Sequence, residues 1–262
     1  MAGRGELEPE EGTRRASAWR GVLFFLPLFL WTLGGAGMIA ILAGFSRRFR
    51  ERGYTRWVHT WGRVPFRLCG ATLEVHGREH LDRPGAKLIL FNHVSLLDIF
   101  VVAQLSPERV VVVYKKEFER IPGLGRAFKN LGMIPVDRTN HEAAIRSVSE
   151  AGRRIVAEGA PCMMAPEGTR SRKGGLQRFK LGAFHLAAEH GIPIVPLIMR
   201  GIESVLPMGS FLLRSGHVRV DCLEPIETGD WSRETVHEHA REVREVFLQY
   251  LEPEAGSEQA SN

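Results

Sequence analysis

The chain has few cysteines, and the three that it has lie far apart. They are Cys69, Cys162 and Cys222, an odd number without a C-x-x-C spacing, so the sequence predicts neither a disulfide framework nor a zinc site. Reduced thiols facing the cytosol are the plain interpretation. The sequence also has no HExxH motif and no clustered Cys and His ligands, so we expect no metal.

Other absences narrow the class of function. There is no G-x-S-x-G motif, which α/β hydrolases use to present a nucleophilic serine. No recognised nucleic-acid-binding module and no internal repeat are present. The net charge of +5 and the pI near 9.4 therefore indicate an anionic partner such as a phosphorylated metabolite or a lipid headgroup, rather than DNA or RNA.

Charge is absent from one long segment, Val22 to Phe45. About 20 apolar residues suffice to cross a bilayer as a helix, and a cleaved signal peptide has a shorter apolar run. Pro27 and the glycines between residues 34 and 37 weaken a straight helix. The segment therefore predicts membrane attachment, either as a crossing helix or as two short helices that enter one leaflet.

Arginines are more numerous after this segment than before it, which predicts a catalytic part on the cytoplasmic face, with a bacterial inner membrane as the expected location. The same arginines, together with Trp57, Trp61 and Phe66, predict an interfacial helix on anionic lipid; a solvated helix leading into the domain is the alternative. The arginines after the segment are Arg47, Arg48, Arg50, Arg52, Arg56 and Arg63.

The chain divides into four parts: a disordered N-terminus (1–19), a membrane anchor and interfacial helix (20–66), one domain (67–252) and a polar tail (253–262). Within the domain, short apolar strands alternate with helices, which predicts an α/β fold with a mixed, largely parallel sheet covered by helices. The predicted strands are 73–76, 87–91, 109–114, 133–136, 161–165, 193–199 and 218–223. The predicted helices are 96–105, 124–131, 141–158, 181–190 and 233–250.

Residues 92–98 (N-H-V-S-L-L-D) follow the predicted strand 87–91 directly and carry the strongest chemical signal. A histidine at the end of a strand, with a carboxylate in reach, is a general base with its orienting partner. We therefore expect His93 to act as a base on a hydroxyl that the substrate brings. A capping box, with Ser95 as N-cap and Asp98 three residues later, accounts for the same residues without a catalytic role. The two interpretations are compatible, because a cap would bring Asp98 back towards His93.

Three more predicted strands end in cationic groups, where open α/β sheets bind ligands. Residues 165–170 (A-P-E-G-T-R) follow one strand, and Arg170 there offers a planar fork for phosphate. Arg138 follows the strand that ends at residue 136, and Lys115 follows the strand 109–114. For each of the three cations, exposure on the surface without a ligand is the alternative. Together with the histidine, these strand ends suit a substrate with both a hydroxyl and a phosphate.

These motifs resemble those of the 1-acyl-glycerol-3-phosphate (lysophosphatidate) acyltransferase family, in order and spacing, over about residues 68–201. Pro135 and Val136 depart from the usual aromatic-aliphatic filling before the second block's Asp-Arg pair. The four blocks are residues 92–98; residues 115–118 (K-K-E-F) with 121–122 and 132–138; residues 166–171; and residues 179–182 with 192–197.

The resemblance implies that His93 is the catalytic base and Asp98 its partner, with no metal and no cofactor. The implied reaction transfers an acyl group from coenzyme A or acyl carrier protein to the sn-2 hydroxyl of lysophosphatidate, making phosphatidate for phospholipid biosynthesis at the membrane. Backbone N–H groups near Ser95 or Gly168 are candidate donors to the oxyanion. The implied substrate-binding residues are Asn92, Ser95, Lys115, Arg138, Glu167, Gly168, Thr169 and Arg170.

Three other functions stay open at this point. The acceptor could be another lyso-lipid or glycerol 3-phosphate. The protein could be a hydrolase that uses Ser95 to form a covalent acyl-enzyme. It could also be a non-catalytic protein that binds lipid surfaces through its basic face.

Overall fold

The computed structural model describes residues 11–46, 49, 53–107, 110–137, 141–170, 175–207 and 213–251. Within this part of the chain, seven strands form one sheet in the order β1-β7-β6-β2-β5-β3-β4. All neighbours are parallel except β6 and β7, which are antiparallel. The strands are β1 (Thr72–His76), β2 (Lys87–Phe91), β3 (Val111–Lys115), β4 (Ile134–Val136), β5 (Pro161–Met164), β6 (Ile194–Arg200) and β7 (His217–Cys222).

Apart from Lys87 at the start of β2 and Arg200 at the end of β6, these two central strands are apolar, because both of their faces are covered. In β2 the residues Leu88, Ile89 and Leu90 are fully buried, and β6 is buried from Ile194 to Met199. Continuous apolar runs of this kind are typical of parallel strands between two helical layers. The predicted fold class, a mixed and largely parallel α/β sheet, is confirmed, and the predicted strands match the observed ones to within two residues at each end.

Helices cover both faces of this sheet. On one face α6, α7 and α9 pack around Phe184 and Phe247; on the other α2, α3, α4 and α8 pack around Leu97 and Val101. The short helices α3 and α8, and a 3₁₀ turn at Lys116–Arg120, were not predicted. The helices are α1 (Glu11–Phe45), α2 (Tyr54–Cys69), α3 (Arg78–Asp82), α4 (Asp98–Leu105), α5 (Leu124–Asn130), α6 (His141–Glu158), α7 (Gly182–His190), α8 (Ile202–Val205) and α9 (Val236–Leu251).

The N-terminal boundaries differ from the predicted ones. Helix α1 begins at Glu11, so residues 11–19, which were expected to be disordered, are helical. Pro27 lies inside α1 without ending it. Helix α2 runs on to Cys69, past the predicted domain boundary at 66. Residues 1–10 and the polar tail 253–262 lie outside the described residues, so the division into four parts stays a prediction.

Helix α1 packs against the domain along one face. Ile39, Ala40 and Ala43 are buried against α5, where Asn130 Nδ2 donates a hydrogen bond to the Ala40 carbonyl at 2.6 Å. The Trp61 indole on α2 donates to Thr32 Oγ1 at 2.9 Å. Small side chains on α1 permit this close approach of helix to helix.

The aromatic residues of α2 face the protein, which corrects the prediction that they lie on lipid. Trp61 stacks on Trp57 and contacts Phe100 of α4 at a ring separation of 4.4 Å, while Phe66 is buried in the core. The exposed face of α2 is polar and basic instead. It carries Arg56, Thr60, Arg63 and Arg67, with Leu68 at its end.

Candidate active site

The segments predicted to form the site meet at one edge of the sheet. Strands β2, β5, β3 and β4 are consecutive neighbours and parallel, so the segments that follow them emerge side by side. These segments carry residues 92–98, 165–170, 115–118 and, after β4, residue 137 respectively. Such an edge is where open α/β sheets bind ligands.

His93 and Asp98 are in contact, as predicted. Nδ1 of His93 lies 2.7 Å from Oδ2 of Asp98; the histidine side chain is 22% exposed and the aspartate side chain fully buried. A carboxylate only accepts hydrogen bonds, so this contact requires the hydrogen on Nδ1. The lone pair of the neutral ring is then on Nε2.

A single oxygen of Asp98 holds the whole turn before α4. Besides the imidazole, Oδ2 accepts the backbone N–H groups of Val94 at 2.7 Å and Ser95 at 2.9 Å. The second of these is the carboxylate half of the predicted capping box. The register differs from the prediction, since α4 begins at Asp98 and Leu97 is its N-cap. The pair therefore meets because His93 and Asp98 are the two ends of one tight turn.

Ser95 lies in the wrong environment for a nucleophile or a substrate contact. It is 1% exposed, its hydroxyl donates to the Leu206 carbonyl at 3.0 Å, and the same oxygen accepts the Leu97 N–H at 3.2 Å. A substrate carbonyl would have to displace these partners to reach it. The expected substrate-binding role of Ser95 is thus replaced by a structural one, and the serine-hydrolase alternative loses its nucleophile.

Asn92 is also occupied by the protein itself. It is 1% exposed, and its amide exchanges two hydrogen bonds with the backbone of Met199 on β6, at 2.9 and 2.8 Å. The pair extends the β2–β6 ladder by one side chain. Asn92 therefore fixes the exit of the chain from β2, and its expected contact with substrate stays a prediction that this burial and pairing do not favour.

Glu167 joins the first and third motifs. Its Oε1 accepts the backbone N–H of His93 at 2.7 Å and its Oε2 accepts that of Gln177 at 2.9 Å, while the residue is 2% exposed. Burial raises the pKa of Glu167 above the usual glutamate range, and the two N–H donors oppose that rise. Both oxygens are used within the protein, so Glu167 positions His93 rather than binding substrate as expected.

The next three residues of the third motif are Gly168, Thr169 and Arg170, and they differ in backbone conformation and exposure. Gly168 has a φ of +73°, a backbone conformation that favours glycine; a Cβ there would lie 2.7 Å from Nζ of Lys180, and the flexible lysine side chain would have to shift. Its N–H donates to the Ala165 carbonyl at 3.1 Å. Thr169 is exposed and Arg170 is half-buried. The ligand-binding roles of Thr169 and Arg170 stay predictions.

The remaining predicted cations have different outcomes. Lys115 ends β3, is about half exposed, and pairs with Glu117 at 3.2 Å. Arg138 lies outside the described residues, so its role stays a prediction.

The expected oxyanion donors at Ser95 and Gly168 are already bonded within the protein. The partners that sequence reasoning missed are Met199, Leu206 and Gln177, which are distant in the chain and carry no local signal.

Comparison with known proteins agrees with this geometry. The family model described as Acyltransferase matches residues 72–200, from the first residue of β1 to the last of β6. The described sheet therefore belongs to an acyltransferase domain. The 1-acyl-sn-glycerol-3-phosphate acyltransferase of Limnanthes douglasii is 35% identical over 215 residues, covering 82% of this chain and 76% of that one.

Two further similarities extend the comparison. The human 1-acyl-sn-glycerol-3-phosphate acyltransferase alpha is 31% identical over 181 residues, covering 69% of this chain and 64% of that one. The crystal structure of the 1-acyl-sn-glycerophosphate (LPA) acyltransferase PlsC from Thermotoga maritima has the same fold, with a TM-score of 0.73, 22% identity, and coverage of 91% of this chain and 98% of that one. The chain belongs to the 1-acyl-sn-glycerol-3-phosphate acyltransferase family. The resemblance drawn from the motifs is confirmed.

Proposed function

We propose that the protein transfers an acyl group from a thioester to the sn-2 hydroxyl of lysophosphatidate, with His93 as the general base. The observation that carries this proposal is the 2.7 Å contact between His93 and Asp98 at the edge of the sheet where Arg170 also lies. The names of the related proteins support lysophosphatidate as acceptor.

In the proposed reaction, Nε2 of His93 takes the proton of the acceptor hydroxyl as that oxygen attacks the thioester carbonyl. Asp98 stabilises the imidazolium that forms. The carbon–sulfur bond then breaks, the new ester remains on the acceptor, and the imidazolium returns the proton to the thiolate. Holding both substrates at the site supplies the orientation that the uncatalysed reaction lacks. The thiol carrier is either coenzyme A or acyl carrier protein.

The acceptor's phosphate needs cations near the base. Arg170 follows β5 and Lys115 ends β3, its neighbour in the sheet, so both can approach one anionic group. Arginine binds phosphate through a planar fork, whereas lysine acts as a point charge. We assign the larger share of headgroup recognition to Arg170, because Lys115 already pairs with Glu117.

Replacing Arg170 with alanine is expected to raise KM for lysophosphatidate about 10- to 100-fold, which corresponds to the loss of a charge-assisted hydrogen bond of about 1.5–3 kcal/mol. The assay follows labelled acyl transfer from acyl-CoA and from acyl carrier protein to a panel of lysophosphatidate, uncharged lyso-lipids and glycerol 3-phosphate. Arg178→Ala, an exposed arginine of the same loop, is the control and should leave KM unchanged. If the wild type acylates no acceptor, the proposed function is wrong; if Arg170→Ala keeps a normal KM, the headgroup assignment is wrong.

We also propose that α1 attaches the enzyme to the bilayer by one face, on the cytoplasmic side. By length and composition, residues 26–45 could cross a membrane. One face of this segment packs on α5 and α2, while the opposite face exposes large apolar side chains, which favours a helix that lies partly in one leaflet. Those exposed residues are Leu26, Phe29, Leu30, Trp31, Met38, Ile41, Leu42 and Phe45.

A double variant, Leu30→Glu with Ile41→Glu, is expected to release the enzyme from membranes while leaving the packed face of α1 intact. Each buried carboxylate would cost on the order of 2.5–3.5 kcal/mol at full depth in the bilayer, and less near its surface. The measurement is the fraction of enzyme retained in membranes after a high-salt wash. Gln249→Glu, on the exposed side of α9, is the control. Full retention of the double variant would contradict the attachment proposed here.

A further inference from the structure

A residue far from the motifs is connected to His93 by hydrogen bonds. Arg244 lies on α9, beyond residues 72–200 that the acyltransferase family model covers. Its Nη2 donates to the Leu176 carbonyl at 2.9 Å and its Nε donates to the Gln177 carbonyl at 3.1 Å. Its guanidinium therefore holds two consecutive carbonyls of the loop that follows the third motif.

The peptide group between Leu176 and Gln177 connects Arg244 to Glu167. The Leu176 carbonyl and the Gln177 N–H belong to the same planar trans peptide, so they point in opposite directions. While Arg244 holds the carbonyl, the N–H is directed at Glu167 Oε2, which accepts it at 2.9 Å. A guanidinium on one end of a peptide also polarises it and strengthens the hydrogen bond at the other end.

Glu167 then connects the loop to the base. Its second oxygen accepts the His93 N–H at 2.7 Å, and this is the residue whose ring bonds to Asp98. The loop is held to α9 by packing as well, because Phe179 meets Phe247 edge to face at a ring separation of 5.3 Å. Thus the backbone of His93 is fixed on one side by Glu167, while its ring is fixed on the other by Asp98.

We propose that Arg244 is a positioning residue for catalysis: through the Leu176–Gln177 peptide and Glu167, it sets the position of His93. This inference rests on the proposed role of His93 as base. Removing Arg244 would leave the peptide free to rotate, and Glu167 would lose the donor that directs its carboxylate. The histidine would then be displaced relative to the acceptor hydroxyl, and a misplacement of about 1 Å can cost about 100-fold in rate.

The test compares kcat and KM in Arg244→Gln, Arg244→Lys and Arg241→Gln. Arg241 lies one turn earlier on α9 and lines the same cavity of about 340 Å³ between α9 and the loop, so it is a matched control. We expect Arg244→Gln to lower kcat about 10- to 100-fold with little change in KM for either substrate. Arg244→Lys, which keeps the charge and one donor direction, should recover part of kcat, and Arg241→Gln should match the wild type.

A double-mutant cycle with Glu167→Gln separates positioning from a general loss of stability. If Arg244 acts through Glu167, the double variant loses little more than the more impaired single variant; independent effects would multiply. Multiplied losses, or a folded Arg244→Gln enzyme with wild-type kcat, overturn the inference. Should Arg244→Gln fail to fold, a cycle of Arg244→Lys with Glu167→Gln tests the same coupling. Full turnover in His93→Ala would instead refute the proposed function.

Discussion

Replacing His93 with alanine is expected to lower kcat by about 10²- to 10⁴-fold, the usual contribution of a general base. The imidazole lies at this edge of the sheet, is 22% exposed, and has its Nδ1 held by a buried carboxylate. Without it, the acceptor hydroxyl would have to attack before losing its proton. Binding of both substrates should remain, because the headgroup cations are untouched, so KM should change little.

The measurement is initial rate against both substrates, with the fold checked by thermal unfolding in detergent. His185→Ala is the control, since His185 is exposed on α7. A folded His93→Ala enzyme with undiminished kcat would show that another group removes the proton. It would also remove the basis for the positioning role of Arg244.

Local patterns predicted the elements and the central contact well. The apolar run of β2 and the motif of residues 92–98 are adjacent in sequence, so both the strand and the turn that joins His93 to Asp98 could be derived from spacing alone. The error lay in the register of α4, which begins at Asp98 rather than at Leu96. The turn before it uses the aspartate side chain where a longer helix would have used backbone hydrogen bonds.

Burial at the site could not be predicted in the same way. Asn92, Ser95 and Glu167 have polar side chains within the motifs, and they were expected to contact substrate. Each is instead buried, with its polar atoms paired to backbone groups of Met199, Leu206 or Gln177. Met199 is brought near by the order of β2 and β6 in the sheet, Leu206 by the segment after β6, and Gln177 by the loop after β5; a motif of a few residues holds no information about any of them.

The contact between Arg244 of α9 and the loop after the third motif could not be predicted from the sequence either. Arg244 follows an amphipathic pattern typical of any helix that covers a sheet, and its neighbours on α9 include glutamates that would suggest a surface pair. Only the packing of α9 beside the loop brings its guanidinium onto the Leu176 and Gln177 carbonyls. Residues that act through other residues in this way leave no local signature in the sequence.

Asp98 is expected to be the second most sensitive position, and its variants separate geometry from charge. Its Oδ2 accepts three hydrogen bonds, whereas Oδ1 is buried and has no partner among the described residues. An asparagine can therefore place its carbonyl oxygen at Oδ2 and its amide at Oδ1, keeping all three bonds. The unpaired amide should cost about 1–3 kcal/mol of stability.

What Asp98→Asn loses is the negative charge beside the imidazolium. A hydrogen bond to a charged group contributes about 1.5–3 kcal/mol, so kcat should fall about 10- to 100-fold. Asp98→Ala also leaves the Val94 and Ser95 N–H groups without acceptors and frees the ring, so its loss should approach the range of about 10²- to 10⁴-fold expected for His93→Ala. Measuring kcat and the unfolding free energy of both variants shows whether the charge of Asp98 or its hold on the turn supports catalysis. Wild-type kcat in a folded Asp98→Ala enzyme would mean that the histidine needs no partner, and equal losses in both variants would mean that charge, not the turn, makes the pair work.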